Sequence, residues 1–145
     1  MPLYFRDLKI EDAEAVTRLS DQLGYPATKA ETELRVNSLL LHPDHCIIVA
    51  VIGETITGWI HAFYTIRLEA DPFVEIGGLV VDENYRNQQI GEKLVEQVKE
   101  WALNKDVKKL RVRCQTKRTA SHHFYQKTGF IQTKEQKVFD LNIAD

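Results

Sequence analysis

The sequence contains few cysteines, little net charge and no long apolar run, and each shortage excludes a class of protein. Cys46 and Cys114 are the two cysteines, and without paired spacing they predict reduced core residues rather than a disulfide or a metal pair. The formal net charge of -2 argues against a general nucleic-acid binder, which usually carries a basic face. No apolar run approaches the roughly 20 residues that a membrane-spanning helix needs, so no membrane partner is expected.

The N-terminus also lacks the basic and then apolar layout of a signal peptide, so we expect a cytoplasmic protein. The chain has 145 residues and 43% hydrophobic content, which predicts a single domain over residues 1–145 with a core of its own. His42 and His45 lie three residues apart, but Pro43 breaks the helix that would align them. Because no third ligand is near in sequence, we expect a surface loop here and no metal site.

The apolar periodicity predicts alternating strands and helices. Residues 4–8 form a strand candidate and residues 11–23 a helix, and Thr28 with Glu31 is the reciprocal pair of a capping box at the start of a second helix. Three strands of an antiparallel meander follow, and then a helix that ends near Asn104. The chain continues with a parallel strand, a helix and a final strand pair. These predicted strands and the last helix cover residues 46–52, 57–66, 73–81, 109–114, 119–127, 130–133 and 137–141.

The stretch from residue 73 to residue 94 predicts a buried strand, a polar loop and a long helix. The strand is apolar on both faces, with Glu75 as its one ionisable residue, and the loop covers residues 82–89. Unpaired backbone N–H groups at the start of the helix would make an anion site, most naturally for phosphate. The alternative is a loop that only connects the strand to the helix and binds no ligand. Gly77 and Gly78 indicate a bulge or a place where another backbone or a ligand comes close, and the alternative is relief of crowding under a helix.

Two motifs resemble signatures of the GNAT superfamily of N-acetyltransferases. The first is similar to that family's Leu-x-Val strand end and acyl-CoA pyrophosphate loop, which is written Arg or Gln, two residues, Gly, one residue, and Gly or Ala. Leu79, Val81, Arg86 and Gly91 match this pattern, and Gln89 replaces the first glycine. The second is a Phe-Tyr pair followed by Gly-Phe, which the chain carries at Phe124, Tyr125, Gly129 and Phe130.

The resemblance implies a fold and an activity. The fold is α/β (α+β), with a mixed, mostly antiparallel sheet of six to seven strands that splays between the fourth and fifth, flanked by about four helices. The activity is N-acetyl transfer from acetyl-CoA to a primary amine of a small molecule or protein, directly within a ternary complex and without a metal. The resemblance also allows a homodimer, with the C-terminal strands as its interface.

The resemblance assigns residues to acetyl-CoA as well. Backbone groups of Leu79 and Val81 would hold the pantetheine arm and polarise the thioester, and the amides of residues 88–91 would bind the pyrophosphate. Lys117 stands where many members carry an asparagine that contacts the pantetheine arm, and a lysine could instead meet a phosphate. The expected cofactor-binding residues are Leu79, Val80, Val81, Arg86, Asn87, Gln88, Gln89, Ile90, Gly91, Lys117, Phe124 and Lys127.

Three residues are candidates for proton transfer. The motif implies that Tyr125 protonates the departing thiolate, although its periodicity alone is typical of a core tyrosine. Glu75 is the candidate base, directly or through a water, and a structural hydrogen bond is the alternative role for its carboxylate. His61 is a second candidate base, and packing is its alternative. Tyr25, Trp59 and His61 are the residues expected to line the acceptor site.

The sequence leaves two other functions open. A non-catalytic acyl-CoA sensor or partner-binding module would be compatible with Gln89 in place of the loop glycine. An α/β domain that binds another phosphate ligand would explain the anion site, but it leaves the Phe-Tyr and Gly-Phe pairs without a role.

Overall fold

The structure is a computed structural model that describes residues 2–144, and the chain divides into two compact units, residues 1–113 and 114–145. The first unit holds five strands and three of the α-helices, and the second unit holds one further α-helix. The strands are β1 (Leu3–Asp7), β2 (His45–Ile52), β3 (Thr55–Arg67), β4 (Ala70–Val81) and β5 (Leu110–Val112). The helices are α1 (Ala13–Gln22), α2 (Lys29–Leu40), α3 (Ile90–Asn104) and α4 (Thr119–Lys127).

The five strands form one sheet in the order β1-β2-β3-β4-β5. The first four strands pair antiparallel, and β5 pairs parallel to β4 after the connection through α3. The predicted meander, the predicted parallel strand and the predicted capping box are therefore confirmed. At the capping box, the Glu31 N–H donates to Thr28 Oγ1 at 3.1 Å, and the Thr28 N–H donates to Glu31 Oε1 at 2.9 Å. No helix within residues 2–144 is long and apolar enough to cross a membrane.

Helices cover both faces of the sheet. Gly58 of β3 faces α3, because a Cβ atom at Gly58 would lie 3.4 Å from Leu94 and 3.5 Å from Ile90. The next residue, Trp59, points to the opposite face and packs against a core to which α1 and α2 contribute. That core consists of Leu8, Leu19, Val36, Val49, Val51, Ile56 and Val80. Each of these buried side chains stabilises the fold by about 1.5–3 kcal/mol relative to exposure.

The sheet opens beside the second half of β4. Gly78 pairs with His61 and Ile76 pairs with Ala62, so Gly77 is an extra residue that makes a bulge in β4. Pairing with β5 is confined to residues 74–76 of β4. Residues 77–81 therefore have no β5 neighbour, and this gap lies between the fourth and fifth strands, where the splay was expected.

The structure of the second unit differs from the prediction for the C-terminal segment. Residues 130–133 and 137–141 were expected to form a strand pair, but no regular secondary structure occurs between residues 129 and 144. The sheet consequently has five strands in the described part of the chain, and not the six to seven expected. The apolar alternation of this segment is typical of a strand, but a strand also needs a neighbouring strand for its backbone hydrogen bonds. No such neighbour pairs with it within residues 2–144.

Candidate functional site

The loop between β4 and α3 has a backbone that suits an anion. A short 3-10 turn at Glu83–Tyr85 opens the loop, and Asn87 and Gln89 both adopt left-handed backbone angles, with φ of 68° and 60°. The Lys93 N–H donates to the Gln89 carbonyl oxygen at 3.1 Å and begins the helical bonding of α3. The N–H groups before Lys93 therefore have no intrahelical acceptor, and the positive end of the helix dipole lies at this position.

Gln89 adopts a backbone conformation that glycine tolerates better than other residues. Its φ of 60° lies in the left-handed region, which costs a non-glycine residue about 1–2 kcal/mol. Its side chain is exposed to solvent, as are Arg86, Asn87 and Gln88, whereas Ile90 and Gly91 are buried at the start of α3. The loop therefore makes its left-handed turns without a glycine at residues 87 and 89.

Side chains of β3 lie over the bulge of β4. A Cβ atom at Gly78 would lie 2.9 Å from the ring of Trp59, and a Cβ atom at Gly77 would lie 3.0 Å from Phe63 and 3.2 Å from His61 Nδ1. Both sequence-based interpretations of the glycine pair are therefore partly right. The glycines mark a bulge, and they also relieve crowding, but the crowding comes from neighbouring side chains of the sheet and not from a helix.

His61, a candidate base and acceptor residue, is enclosed by other rings. Its Nε2 lies 2.9 Å from Nδ1 of His45, a hydrogen bond in which one ring donates, and its ring lies 5.6 Å from that of Phe63. Burial, and then the neighbouring His45, lower the pKa of His61 from 6.5 to about 4. His61 is therefore neutral at physiological pH. Its ring contacts agree with a packing role, which is the alternative to its role as a base.

Glu75 is ion-paired. Arg113 Nε donates to Glu75 Oε1 at 3.1 Å, and the Glu75 side chain is 14% exposed. This contact is the structural hydrogen bond that the sequence left as an alternative, and the role of Glu75 as a base remains a prediction. The neighbouring basic residues also have structural partners, because Arg67, Lys109 and Arg111 stack on the ring of Phe73, with Arg111 Cζ 4.4 Å from its centroid.

The acceptor candidates Tyr25 and Trp59 lie in different surroundings. Tyr25 is 54% exposed and follows the C-terminal end of α1. Trp59 is packed on the core, and its indole N–H is buried without a hydrogen-bond acceptor among the described residues. The structure brings Trp59 and His61 to the β4 bulge, where Leu79, Val80 and Val81 continue the strand towards the loop.

In the second unit, Tyr125 lies on α4 within an aromatic cluster. Its ring contacts Phe124 and Phe130 edge to face, with centroids 5.1 and 5.4 Å away, and its carbonyl oxygen accepts the Phe130 N–H at 2.9 Å. Burial, and then the neighbouring Cys114, raise the pKa of the Tyr125 hydroxyl, so this hydroxyl stays protonated at physiological pH. Lys117 precedes α4 and Lys127 ends it, and both side chains are exposed.

Sequence reasoning missed two residues next to the loop. Arg18 and Gln22 of α1 hydrogen-bond to Asp82 and Glu83, at the start of the loop. Their spacing of four residues shows from the sequence alone that both polar side chains lie on one face of α1. Their partners are at least 60 residues away in sequence, however, and no local pattern reveals such a contact.

A mixed sheet that opens beside β4 leads through a loop to helix N–H groups without helical acceptors. This arrangement suits a protein that binds an anionic ligand such as a phosphate group. The chain belongs to the acetyltransferase (GNAT) family, whose model matches residues 11–130. It is therefore an acyltransferase, as the sequence motifs predict. Within residues 2–144 no group of three or more histidine, cysteine or acidic residues could hold a metal ion.

Three known proteins illustrate the similarity. An uncharacterized N-acetyltransferase of Chlorobaculum tepidum is 25% identical over 131 residues, which cover 90% of this chain and 77% of that protein. An aminoglycoside 6'-N-acetyltransferase of Acinetobacter baumannii has a TM-score of 0.89 at 18% identity, covering 99% of this chain and 100% of that chain. AAC(6')-Iy, solved with a bisubstrate analogue of coenzyme A, has a TM-score of 0.86 at 18% identity, covering 98% and 99%. At these identities the two solved structures show the fold.

Proposed function

We propose that this protein transfers the acetyl group of acetyl-CoA to a primary amine of a small molecule or protein, directly within a ternary complex. The observation that carries the proposal is the loop before α3, where two left-handed residues and a row of N–H groups without helical acceptors suit a pyrophosphate. Arg86, Asn87, Gln88 and Gln89 supply this loop, and Ile90 and Gly91 supply the first turn of the helix.

In the proposed reaction the amine nitrogen attacks the thioester carbonyl carbon. A C–N bond forms, the C–S bond breaks, one proton leaves the amine, and the sulfur departs as a thiolate that must be stabilised or protonated. Backbone groups of Leu79 and Val81, on the part of β4 without a β5 neighbour, are proposed to hold the pantetheine arm and polarise the carbonyl. Lys117, Phe124 and Lys127 are proposed to complete the contacts to coenzyme A, as the family motif implies.

Tyr125 is proposed to donate a hydrogen bond to the departing sulfur. Because burial raises the pKa of its hydroxyl, Tyr125 holds its proton and can donate a hydrogen bond to a thiolate at any physiological pH. A complete proton transfer from so weak an acid is uphill, since a thiol has an ordinary pKa of about 8.5. The hydroxyl therefore stabilises the developing charge first, and solvent can complete the protonation.

Glu75 is the proposed base, and the surroundings of His61 argue for this choice. His61 Nε2 is engaged with a ring nitrogen of His45, so this nitrogen is not free for an amine in this arrangement. Glu75 presents a carboxylate that is 14% exposed, and Arg113 is the group with which an amine would compete for it. Tyr25 and Trp59 are proposed to line the acceptor site, whose amine is not specified by these contacts.

Calorimetry on the purified chain tests the proposal. We expect acetyl-CoA and free coenzyme A to bind, and ATP to bind far more weakly because it lacks the pantetheine arm. Release of free thiol from acetyl-CoA in the presence of a panel of amines then separates an enzyme from a non-catalytic sensor. Absence of acetyl-CoA binding would contradict the proposed function.

We also propose a homodimer, formed by the segment that follows α4. Five large apolar side chains there are more than 80% exposed: Ile131, Val138, Phe139, Leu141 and Ile143. The last three alternate, so an extended segment would present them on one face. Burying each against a second copy would contribute about 1.5–3 kcal/mol, which is enough in sum to favour association.

Sedimentation of the wild type and two variants tests the dimer. Leu141→Ser should shift the protein to a monomer, because it places a hydroxyl in the proposed interface. Leu68→Ser is the matched control, since Leu68 is fully exposed between β3 and β4. A monomeric wild type, or an equal effect of both variants, would contradict the proposed interface.

A further inference from the structure

Side chains of α1 hold the first residues of the loop between β4 and α3. Asp82 is 3% exposed, and its Oδ2 accepts a hydrogen bond from Arg18 Nη1 at 2.9 Å. Its Oδ1 accepts the Asn84 N–H at 3.0 Å and lies 3.5 Å from Gln22 Nε2. Gln22 Oε1 in turn accepts the Glu83 N–H at 3.0 Å. Two successive backbone N–H groups of the loop are thus fixed by side-chain oxygens.

The same residues join the loop to the start of β3. Arg18 Nη2 donates to the Ile56 carbonyl oxygen at 3.3 Å, and the Asp82 N–H donates to the Thr57 carbonyl oxygen at 2.8 Å. The guanidinium therefore bridges a helix, a strand and the loop. Arg18, Gln22 and Asp82 are called the α1 anchor here.

Asp82 stays ionised within the α1 anchor. Burial alone would raise its pKa, but hydrogen bonds from the Asn84 N–H, Arg18 and Gln22 outweigh this effect and hold the pKa below its ordinary value. A charged carboxylate with donors on both oxygens has one favourable orientation. The start of the loop is consequently fixed in direction as well as in position.

The rest of the loop has little other support. Residues 86–89 are exposed, and Asn87 and Gln89 adopt the left-handed conformation without being glycines. Non-glycine residues remain in that region only when the surrounding structure holds them there. The first end of the loop is held by the α1 anchor, and the second end is held by α3.

We propose that Arg18 and Gln22 are positioning residues for coenzyme A, which hold Asp82 and the turn after it so that the loop N–H groups face the pyrophosphate. The proposal rests on the proposed function for its ligand. The α1 anchor itself can be measured in the free protein.

The binding test compares coenzyme A affinity by calorimetry in the wild type and three variants. Arg18→Gln should weaken binding about tenfold, and Arg18→Lys should weaken it about threefold because a lysine keeps a charged contact to Asp82. Arg6→Gln is the matched control, since Arg6 donates to buried Asp12 at 2.7 and 2.9 Å and Asp12 also accepts a backbone N–H. That ion pair makes no contact with the loop, so Arg6→Gln should change the affinity less than about twofold.

Amide hydrogen exchange in the free protein is the second measurement. The Glu83 and Asn84 amides are bonded to Gln22 and Asp82, so they should exchange slowly in the wild type and in Arg6→Gln. In Arg18→Gln both should exchange at least about tenfold faster, while the amides of α3 keep their protection. Melting temperatures of the two glutamine variants show whether the comparison is made at equal stability.

The outcomes separate the two proposals. Weaker coenzyme A binding and faster loop exchange in Arg18→Gln alone would support the positioning role. Equal affinity in all variants, or equal losses in Arg18→Gln and Arg6→Gln, would overturn it. If the wild type binds no coenzyme A, the proposed function fails, and the exchange of Glu83 and Asn84 still decides whether Arg18 holds the loop.

Discussion

The buried imidazole of His61 should make the stability of the protein depend on pH between about 7.5 and 4.5. Burial and the nearby His45 lower the pKa of His61 from 6.5 to about 4 in the folded state. The unfolded chain therefore takes up a proton as the pH falls through about 6.5, and the folded protein does so only near its own lower pKa. Stability is fully present above pH 6.5 and is lost as the pH falls.

The size of the effect follows from the shift. The difference between a pKa of 6.5 and one of about 4 corresponds to about 3.5 kcal/mol if it is fully expressed, because each pKa unit is worth about 1.4 kcal/mol. Since the imidazole is only partly buried and solvent screens part of the effect, we expect about 2 kcal/mol. His45 adds to the same trend, because burial, and then its neighbour His42, lower its pKa as well.

Urea unfolding at a series of pH values measures this effect. His61→Phe removes the titrating group, so this variant should lose about 2 kcal/mol less than the wild type between pH 7.5 and pH 4.5. The comparison cancels the carboxylates, which titrate alike in both proteins. His123→Phe makes the same chemical change at an exposed position of α4 and should leave the wild-type pH profile unchanged. Identical pH profiles for His61→Phe and the wild type would refute the reasoning.

Three further predictions concern residues of the proposed site. Tyr125→Phe should lower turnover about 100-fold in the thiol-release assay and change acetyl-CoA affinity far less; equal turnover would remove Tyr125 from the mechanism. Glu75→Gln should depress the rate most at low to neutral pH, where unassisted amines are protonated, and an unchanged pH-rate profile would point to His61 or water as the base. Gln89→Gly should raise the free energy of unfolding in urea by about 1 kcal/mol, because it removes left-handed strain that the loop carries without a ligand, and should change acetyl-CoA affinity less than about threefold; Gln88→Gly, at a position without positive φ, should not stabilise the protein, and equal effects on stability would contradict the strain argument.

Local patterns predicted the elements that depend on local physics. The capping box at Thr28 involves residues three apart, and both of its hydrogen bonds are present. The meander connects neighbouring strands by short turns, so chain order and apolar runs suffice to predict it. The strand pair expected after Gly129 is wrong because that prediction used apolar alternation alone, which depends on neighbouring residues. A strand also needs a partner strand for its hydrogen bonds, and local alternation does not show whether one is present.

Contacts between distant residues could not be predicted in this way. Arg18 and Asp82 are 64 residues apart, and Glu75 and Arg113 are 38 residues apart. The sequence showed that a carboxylate within the apolar strand β4 needs a partner, since an unpaired buried charge is costly. It could not show which of the many arginines supplies that partner, because the choice depends on the parallel register of β4 and β5, in which Glu75 pairs with Arg111.

Gln89 stands where the motif has its first glycine. A missing glycine in a one-letter pattern indicates a lost contact, yet the structure keeps the left-handed backbone, with φ of 60°. Glycine adopts this conformation freely, and glutamine adopts it at a cost of about 1–2 kcal/mol. A hydrogen bond from one backbone N–H to a charged phosphate oxygen contributes about 1.5–3 kcal/mol, and several N–H groups face the same side at the start of α3. The strain is already present in the folded protein without a ligand, so Gln89 should lower the stability of the loop and leave these bonds available to coenzyme A.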